Sequence, residues 1–322
     1  VGRIGGAPPQ PAEPDRVLEI QRHFPFYGRA HDGDRRGWLG WAGVGDAGPR
    51  VGRDPGGRRV VVYHGDGAAR WTPQRAAEAA DAIATRPAAL ADALGGSFAL
   101  ACLDLDRGAL HCLTDRFGHH RLYYRRQGDA VYVAAELKAF LAWPDLDVAP
   151  DVEALRDLVN YTYPLGDRTS LAGVRLLPPA SRLSFAGGEL TVERYWRPRY
   201  EPHEDDDDRL VDEAQRLFSE AFARKTAEAD RLVVPVSGGL DSRLLLAEAL
   251  AEGKEVLSYT YGHARSRETA VAREVMRALG VAPRHIVTDD VADPAPAVRR
   301  ASWFVEGMAN AGVAGLVRVQ GE

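Results

Sequence analysis

Short apolar runs, each bounded by turn residues, set the pattern of the first two thirds of the chain. Arg59-Val60-Val61-Val62-Tyr63 predicts a strand, and His64-Gly65-Asp66-Gly67 is the turn that ends it. Residues 72–94 are alanine-rich and predict a helix, with Thr72 as N-cap and Pro73 as first helical residue. The Arg86-Pro87 step should divide it in two. Residues 97–103 and 109–113 predict strands joined by Asp106-Arg107-Gly108, a hairpin loop with glycine at the left-handed position. Both strands are almost continuously apolar, so their sheet should be covered on both faces. Residues 131–134 predict a further strand leading to a short helix over 136–141, and residues 151–161 an amphipathic helix. Leu176-Leu177-Pro178-Pro179-Ala180 predicts a turn into a strand over 181–185, and Gly187-Gly188 a hairpin turn. Residues 1–58, rich in Gly, Pro and Arg, predict no clear elements.

The acidic stretch EPHEDDDD over 201–208 reads as a solvated linker into a helix N-terminus and sets the expected boundary between domains at 1–200 and 201–322. Beyond it Leu210, Val211, Ala214, Leu217, Phe218, Ala221 and Phe222 recur at helical spacing and are expected to face a core. Residues 232–246 read as strand, loop and helix, and strand-like runs at 255–261 and 285–287 alternate with a helical pattern at 268–279. That alternation predicts an α/β region built on a parallel, doubly wound sheet.

The most informative stretch is LVVPVSGGLDSRLLL, residues 232–246. An apolar strand stops at a glycine turn and a leucine-rich helix follows at once. Gly238 and Gly239 lack a Cβ, so the backbone can approach a ligand closely. The loop runs into a helix N-terminus, where unpaired N–H groups and the positive dipole end favour an anion. Ser237 and Ser242 add hydroxyls, and Asp241 offers a hard oxygen to a phosphate-bound magnesium. The plain alternative is a helix start in which Asp241 and Ser242 only cap free N–H groups. Pro235 is out of place in a central strand, since it lacks the donor that a ladder needs, although it stands near the strand's end.

Composition narrows the classes. The 322 residues suffice for about two domains, and 45% hydrophobic with 27% charged residues describes an ordinary globular chain. A formal charge of −5 provides no basic footprint for nucleic acid. No apolar run approaches the ~18–20 residues of a membrane span. Two cysteines are too few for a disulfide framework, which suits a reducing cytoplasm.

Several motifs then agree with one another. Gly96-Ser97-Phe98-Ala99, Thr114-Asp115-Arg116-Phe117-Gly118 with Leu122-Tyr123-Tyr124, and Ala134-Ala135-Glu136-Leu137-Lys138-Ala139-Phe140-Leu141 resemble the glutamine amidotransferase half of the asparagine synthetase family. Gly173-Val174-Arg175-Leu176-Leu177-Pro178-Pro179 and Arg194-Tyr195-Trp196 resemble the junction between its halves, and SGGLDS resembles the loop of the ATP pyrophosphatases. The resemblance implies an αββα N-terminal-nucleophile-like sandwich followed by a partial doubly wound ATP-pyrophosphatase domain. It implies Mg2+ and ATP, bound through Ser237, Gly238, Gly239, Asp241 and Ser242, with Asp241 on the metal. Pro235 and Tyr261 are carried over as adenosine contacts, and Tyr261 reads equally as a core aromatic.

The departures from the family are as informative as the matches. In the family a residue-one cysteine attacks the glutamine amide, with its own α-amine as base. Here position 1 is Val1, and Cys102 and Cys112, expected mid-strand and nearly opposite across their hairpin, read as core residues. The family's arginine–glycine–proline–aspartate signature and its amide-binding asparagine are also missing, so glutamine hydrolysis is not expected and no catalytic residue is assigned. The chain ends at Glu322, before the family's next phosphate loop, so its last domain reads as truncated. Arg243, where asparagine synthetases have serine, is expected either to touch phosphate or to stand in solvent.

The resulting expectation is a cytoplasmic, AMP-forming amide ligase. It would join a small-molecule or peptide carboxylate to ammonia or an amine, without nucleic acid or membrane partners. Relatives that lost the glutaminase, such as lasso-peptide cyclases and β-lactam synthetase, make ring closure one alternative. A non-catalytic scaffold is the other, and a homodimer is compatible with either.

Overall fold

The computed structural model describes residues 1–24, 26–44, 50–66, 71–202, 206–287 and 295–309. Gly67 of the expected turn and residues 203–205 of the acidic stretch lie outside the described residues. The chain divides into two compact units. The first is Val1–Arg199, which also takes in Val305–Asn310, and the described part of the second is Tyr200–Phe304.

The first unit begins with β1 (Gly2–Gly5), α1 (Glu13–Glu19), β2 (Tyr27–Asp34), β3 (Gly37–Val44), β4 (Arg50–Arg53) and β5 (Arg59–Gly65). Most of these lie where the sequence predicted nothing. Helices α2 (Pro73–Ala82) and α3 (Pro87–Leu94) follow, divided at the expected proline step, and Thr72 caps α2 by accepting from Arg75 N at 3.2 Å. Then come β6 (Phe98–Asp104), β7 (Ala109–Thr114), β8 (Tyr123–Gln127) and β9 (Ala130–Ala134). The short helix expected after β9 is a 3₁₀ turn, Leu137–Leu141. Helix α4 (Val152–Tyr161) is capped by Asp151, and β10 (Arg175–Leu176), β11 (Ser181–Ala186) and β12 (Glu189–Arg194) complete the unit.

The strands form two six-stranded antiparallel sheets, in the orders β10-β8-β9-β1-β3-β2 and β12-β11-β7-β6-β5-β4. Ile4, Leu39, Val131 and Val133 of one sheet bury themselves against Val60, Val62, Leu103, Leu110 and Leu183 of the other. The outer face of the second sheet packs under α2 and α3 through Tyr63, Phe98, Leu100, Ala79, Ile83 and Leu90. Val17 of α1 and Phe140 of the 3₁₀ turn cover Trp38 and Tyr132 on the outer face of the first. This is an αββα sandwich, and the expected two-sided covering of β6 and β7 is observed.

Register places the two cysteines nearly opposite and in the core, as expected. Cys112 pairs with Ala101, and Cys102 pairs with His111. Adjacent residues of a strand point to opposite faces, so the two cysteines are buried on opposite sides of the sheet, Cys112 between the sheets and Cys102 under the helices.

The second unit contains α5 (Asp207–Thr226), β13 (Arg231–Pro235), α6 (Leu240–Ala251), β14 (Glu255–Gly262), α7 (Arg267–Ala278), β15 (Arg284–Val287) and most of α8 (Ala295–Val305). Strands β13, β14 and β15 are parallel and lie in that order. Leu246 of α6 with Ala272 and Met276 of α7 bury Val234 and Val236, so both helices cover one face. On the opposite face Val233 is 59% exposed and Leu257 46%. Helix α5 also departs from expectation. Leu210, Val211 and Leu217 are 45%, 63% and 50% exposed, and the helix lies outside the core of its unit. Helical spacing marks which residues share a face, but only a neighbouring element can bury that face.

Candidate functional site

Strand β13 is an edge strand among those described, and Pro235 is its last residue, paired with Tyr259. That position answers the question Pro235 raised, because an edge residue at a strand end can forgo a donor. The ladder continues one residue further, with Val236 N donating to Tyr259 O at 2.7 Å. The chain then turns through Ser237 and Gly238 to Gly239, which occupies the N-cap of α6 in an extended conformation without a side-chain cap. Helix α6 therefore begins with N–H groups that have no intrahelical acceptor, directed at the end of the strand.

Two hydroxyls tie the loop together. Ser242 Oγ accepts from Ser237 N at 3.0 Å and lies 3.0 Å from Ser237 Oγ, which accepts from Gly239 N at 3.1 Å. Ser237 lies on the loop and Ser242 in the first turn of α6, and in this structure they bond to each other. Arg243 is held down instead of reaching into solvent: its Nη2 donates to Gly238 O at 2.6 Å. Gly238 is also close to α7, since a Cβ there would sit 3.4 Å from Glu268 Cγ and 3.5 Å from Glu268 Cα. Glu268 was not singled out from the sequence, although its place in the first turn of a helix that starts just after a strand was a usable signal. Asp241 stands exposed in the first turn of α6, where its charge suits the dipole.

The structure thus brings together Ser237, Gly238, Gly239, Asp241 and Ser242. Pro235 and Tyr261 stand on one face of the sheet, since Pro235 pairs with Tyr259 and residues two apart in a strand share a face. Val234 points into the core under α6 and α7, so Pro235, the next residue, faces the other way, and Tyr261 of β14 is 40% exposed.

In the first unit the motifs that resembled an amidotransferase hold structure. Asp66 accepts from Ser97 N at 2.8 Å and Ser97 Oγ at 2.9 Å, joining the end of β5 to the start of β6. Gly96 has φ +63°, and a Cβ there would stand 2.5 Å from Asp66 Oδ2, so only glycine fits. Asp115 is buried and accepts from Phe98 N, Phe117 N and His119 N at 2.9–3.1 Å, and from His119 Nδ1 at 3.1 Å. Burial opposes its charge, yet the bonds from His119, Phe117 and Phe98 outweigh burial and hold the carboxyl below the usual range. Burial pushes the thiols of Cys102 and Cys112 up to about 12, so neither is a nucleophile near neutral pH.

The arrangement of an antiparallel sandwich followed by a glycine loop on a parallel sheet has counterparts. Residues 80–196 match the glutamine amidotransferase domain family, and residues 231–294 match the family of the queuosine biosynthesis protein QueC. Glutamine-hydrolyzing asparagine synthetase 3 of Bacillus subtilis is 32% identical over 175 residues, covering 53% of this chain and 28% of its own. The chain is related to the asparagine synthetase family. Asparagine synthetase 1 of the same organism is 28% identical over 198 residues, 59% of this chain and 30% of its own. The 7-cyano-7-deazaguanine synthase of Anaeromyxobacter dehalogenans is 49% identical over 72 residues, 22% of this chain and 31% of its own. The chain spans under a third of the length of these relatives. No described helix is long and apolar enough to cross a membrane.

Proposed function

We propose that the chain binds Mg·ATP at the loop over 237–242 and belongs to an AMP-forming amide ligase. The observation that carries this reading is the strand–loop–helix junction, Gly239 at the uncapped start of α6, in one chain with an amidotransferase-type sandwich. The donors of α6 would take the anionic end of the triphosphate. Asp241 has a hard oxygen in reach of that end, and no described group of three or more His, Cys, Asp or Glu side chains could hold a metal alone. The residues fit a magnesium that is shared with phosphate oxygens, Asp241 being one ligand. Bound there, the metal would neutralise charge on the phosphates.

The reaction follows that of the family. A substrate carboxylate attacks the α-phosphorus, the bond to the bridging oxygen breaks and pyrophosphate leaves. An amine or ammonia then attacks the acyl carbon, AMP departs, and the amine's proton passes to solvent. The loop's part is to hold the β- and γ-phosphates and the leaving pyrophosphate. The nitrogen source in this reading is free ammonia or an amine, and the buried thiols of Cys102 and Cys112 take no part in supplying it. Ring closure by an internal amine is one form of the same chemistry. A second reading, nucleotide binding without turnover, draws on the exposed apolar residues of α5 and β13.

The test is Mg·ATP binding by the whole chain and its Asp241→Ala variant. Binding that the variant weakens about tenfold supports the loop, and no binding by the parent chain removes it. Release of AMP with pyrophosphate from carboxylate and amine supports the ligase. ADP with phosphate overturns it, and binding without release favours the second reading.

A further inference from the structure

We propose that Arg243 is a positioning residue that tunes the loop for a polyphosphate over a monophosphate. This rests on the ATP-binding reading above and assigns a preference to the same site.

The Gly238 carbonyl lies on the loop itself. A peptide oxygen carries partial negative charge, and one left free on a loop that receives phosphate would repel it. Arg243 Nη2 donates to that oxygen at 2.6 Å, a charge-assisted bond that engages the oxygen and restrains the loop. Gly238 also lies beside α7, where a Cβ would be in van der Waals contact with Glu268 Cγ at 3.4 Å and Cα at 3.5 Å. The Arg243 bond thus ties the loop to α6, and the loop runs beside α7.

The guanidinium is not satisfied by this single bond. Arg243 is half-buried, and its Nε is buried without a hydrogen-bond partner. Arginine presents five N–H donors in a rigid fork, so donors remain for a second acceptor beside the same loop. A phosphate oxygen is such an acceptor.

Electrostatics give the direction of the preference. Asp241 and Glu268 place carboxylates in the first turns of α6 and α7, and both disfavour an anion that arrives without a cation. Arg243 is a cation bonded directly to the loop. The more charge a ligand carries, the more it gains from that guanidinium. Pyrophosphate and the triphosphate end of ATP should gain most, and AMP least.

The probes are inorganic pyrophosphate, ATP and AMP, each with Mg2+, titrated calorimetrically into the full chain and its Arg243→Ser and Arg243→Lys variants. Arg243→Ser should weaken pyrophosphate about tenfold and AMP less than about twofold, while Arg243→Lys restores part of the loss, supplying charge without the fork. Equal losses for pyrophosphate and AMP would mark a merely structural role and overturn the proposal. So would an unchanged pyrophosphate affinity in Arg243→Ser when Asp241→Ala weakens ATP binding, an outcome that leaves the ATP-binding reading standing. A parent chain that binds neither ATP nor pyrophosphate overturns both. If Arg243→Ser fails to fold by circular dichroism, Arg243→Gln takes its place: a loss larger for pyrophosphate than for AMP supports the proposal, and equal losses or none overturn it.

Discussion

The two units close their cores by different means. In the first, both sheets have both faces covered, and Val60, Leu103, Leu110, Leu183 and Val131 are fully buried between them. In the second, one face of a three-stranded sheet is covered by α6 and α7, while Val233, Leu257, Leu210 and Val211 stay 45–63% exposed. Apolar residues therefore carry different weight in the two. The loop over 237–242 nevertheless takes its shape in the less enclosed unit, because its bonds run among Ser237, Gly238, Gly239, Ser242 and Arg243, all within a few residues of one another. A local site needs its own junction more than a large core.

The largest expected effect lies in the first core. Leu103→Ala removes a fully buried side chain and should cost about 2–5 kcal/mol, read as a lower urea midpoint. Leu244→Ala on α6, where the side chain is 51% exposed, should change stability by less than about 0.5 kcal/mol. Equal costs would show that the exposed surface of the second unit is covered in solution, and the contrast would fail.

A second prediction concerns acid. Asp115 has its carboxyl held below the ordinary 3.8, so the folded state binds fewer protons there than the unfolded chain. Its contribution is complete above that ordinary value and is lost as pH falls through the lowered one. Asp115→Asn should cost about 1–3 kcal/mol at neutral pH, by weakening the bonds that join β6 to the turn at Phe117. It should also flatten the dependence of stability on pH below about 4. Unchanged acid sensitivity in thermal melts would refute the role given to this carboxylate.

The smallest effect is a cap. Thr72→Ala removes the bond to Arg75 N and should cost about 1 kcal/mol, seen as a modest drop in melting temperature. A negligible change would mean that the packing of Ala76 and Ala79 holds α2 without its cap.

Much of this was legible from local signals. Thr72-Pro73 started a helix, Arg86-Pro87 divided it, and Asp106-Arg107-Gly108 closed a hairpin in which Gly108 has φ +59°. SGGLDS marked its loop by glycine spacing and the switch from strand to helix. Residues 1–58 were not legible, because β1 lies between β3 and β9, and pairing with such distant partners leaves little pattern in a glycine-rich stretch. The cysteines stand nearly opposite and buried as expected, and the one-residue offset that puts them on opposite faces was not legible.

By itself the sequence determined where the chain bends, which residues share a face, and which junction could receive an anion, since these depend on backbone preferences within a few residues. The tertiary structure decided whether a face is buried, as α5 shows, and on which side of a sheet Pro235 and Tyr261 stand. It also decided that Arg243 folds back onto Gly238. Burial and hydrogen-bond partners are set by what packs alongside, and periodicity carries no record of that neighbour.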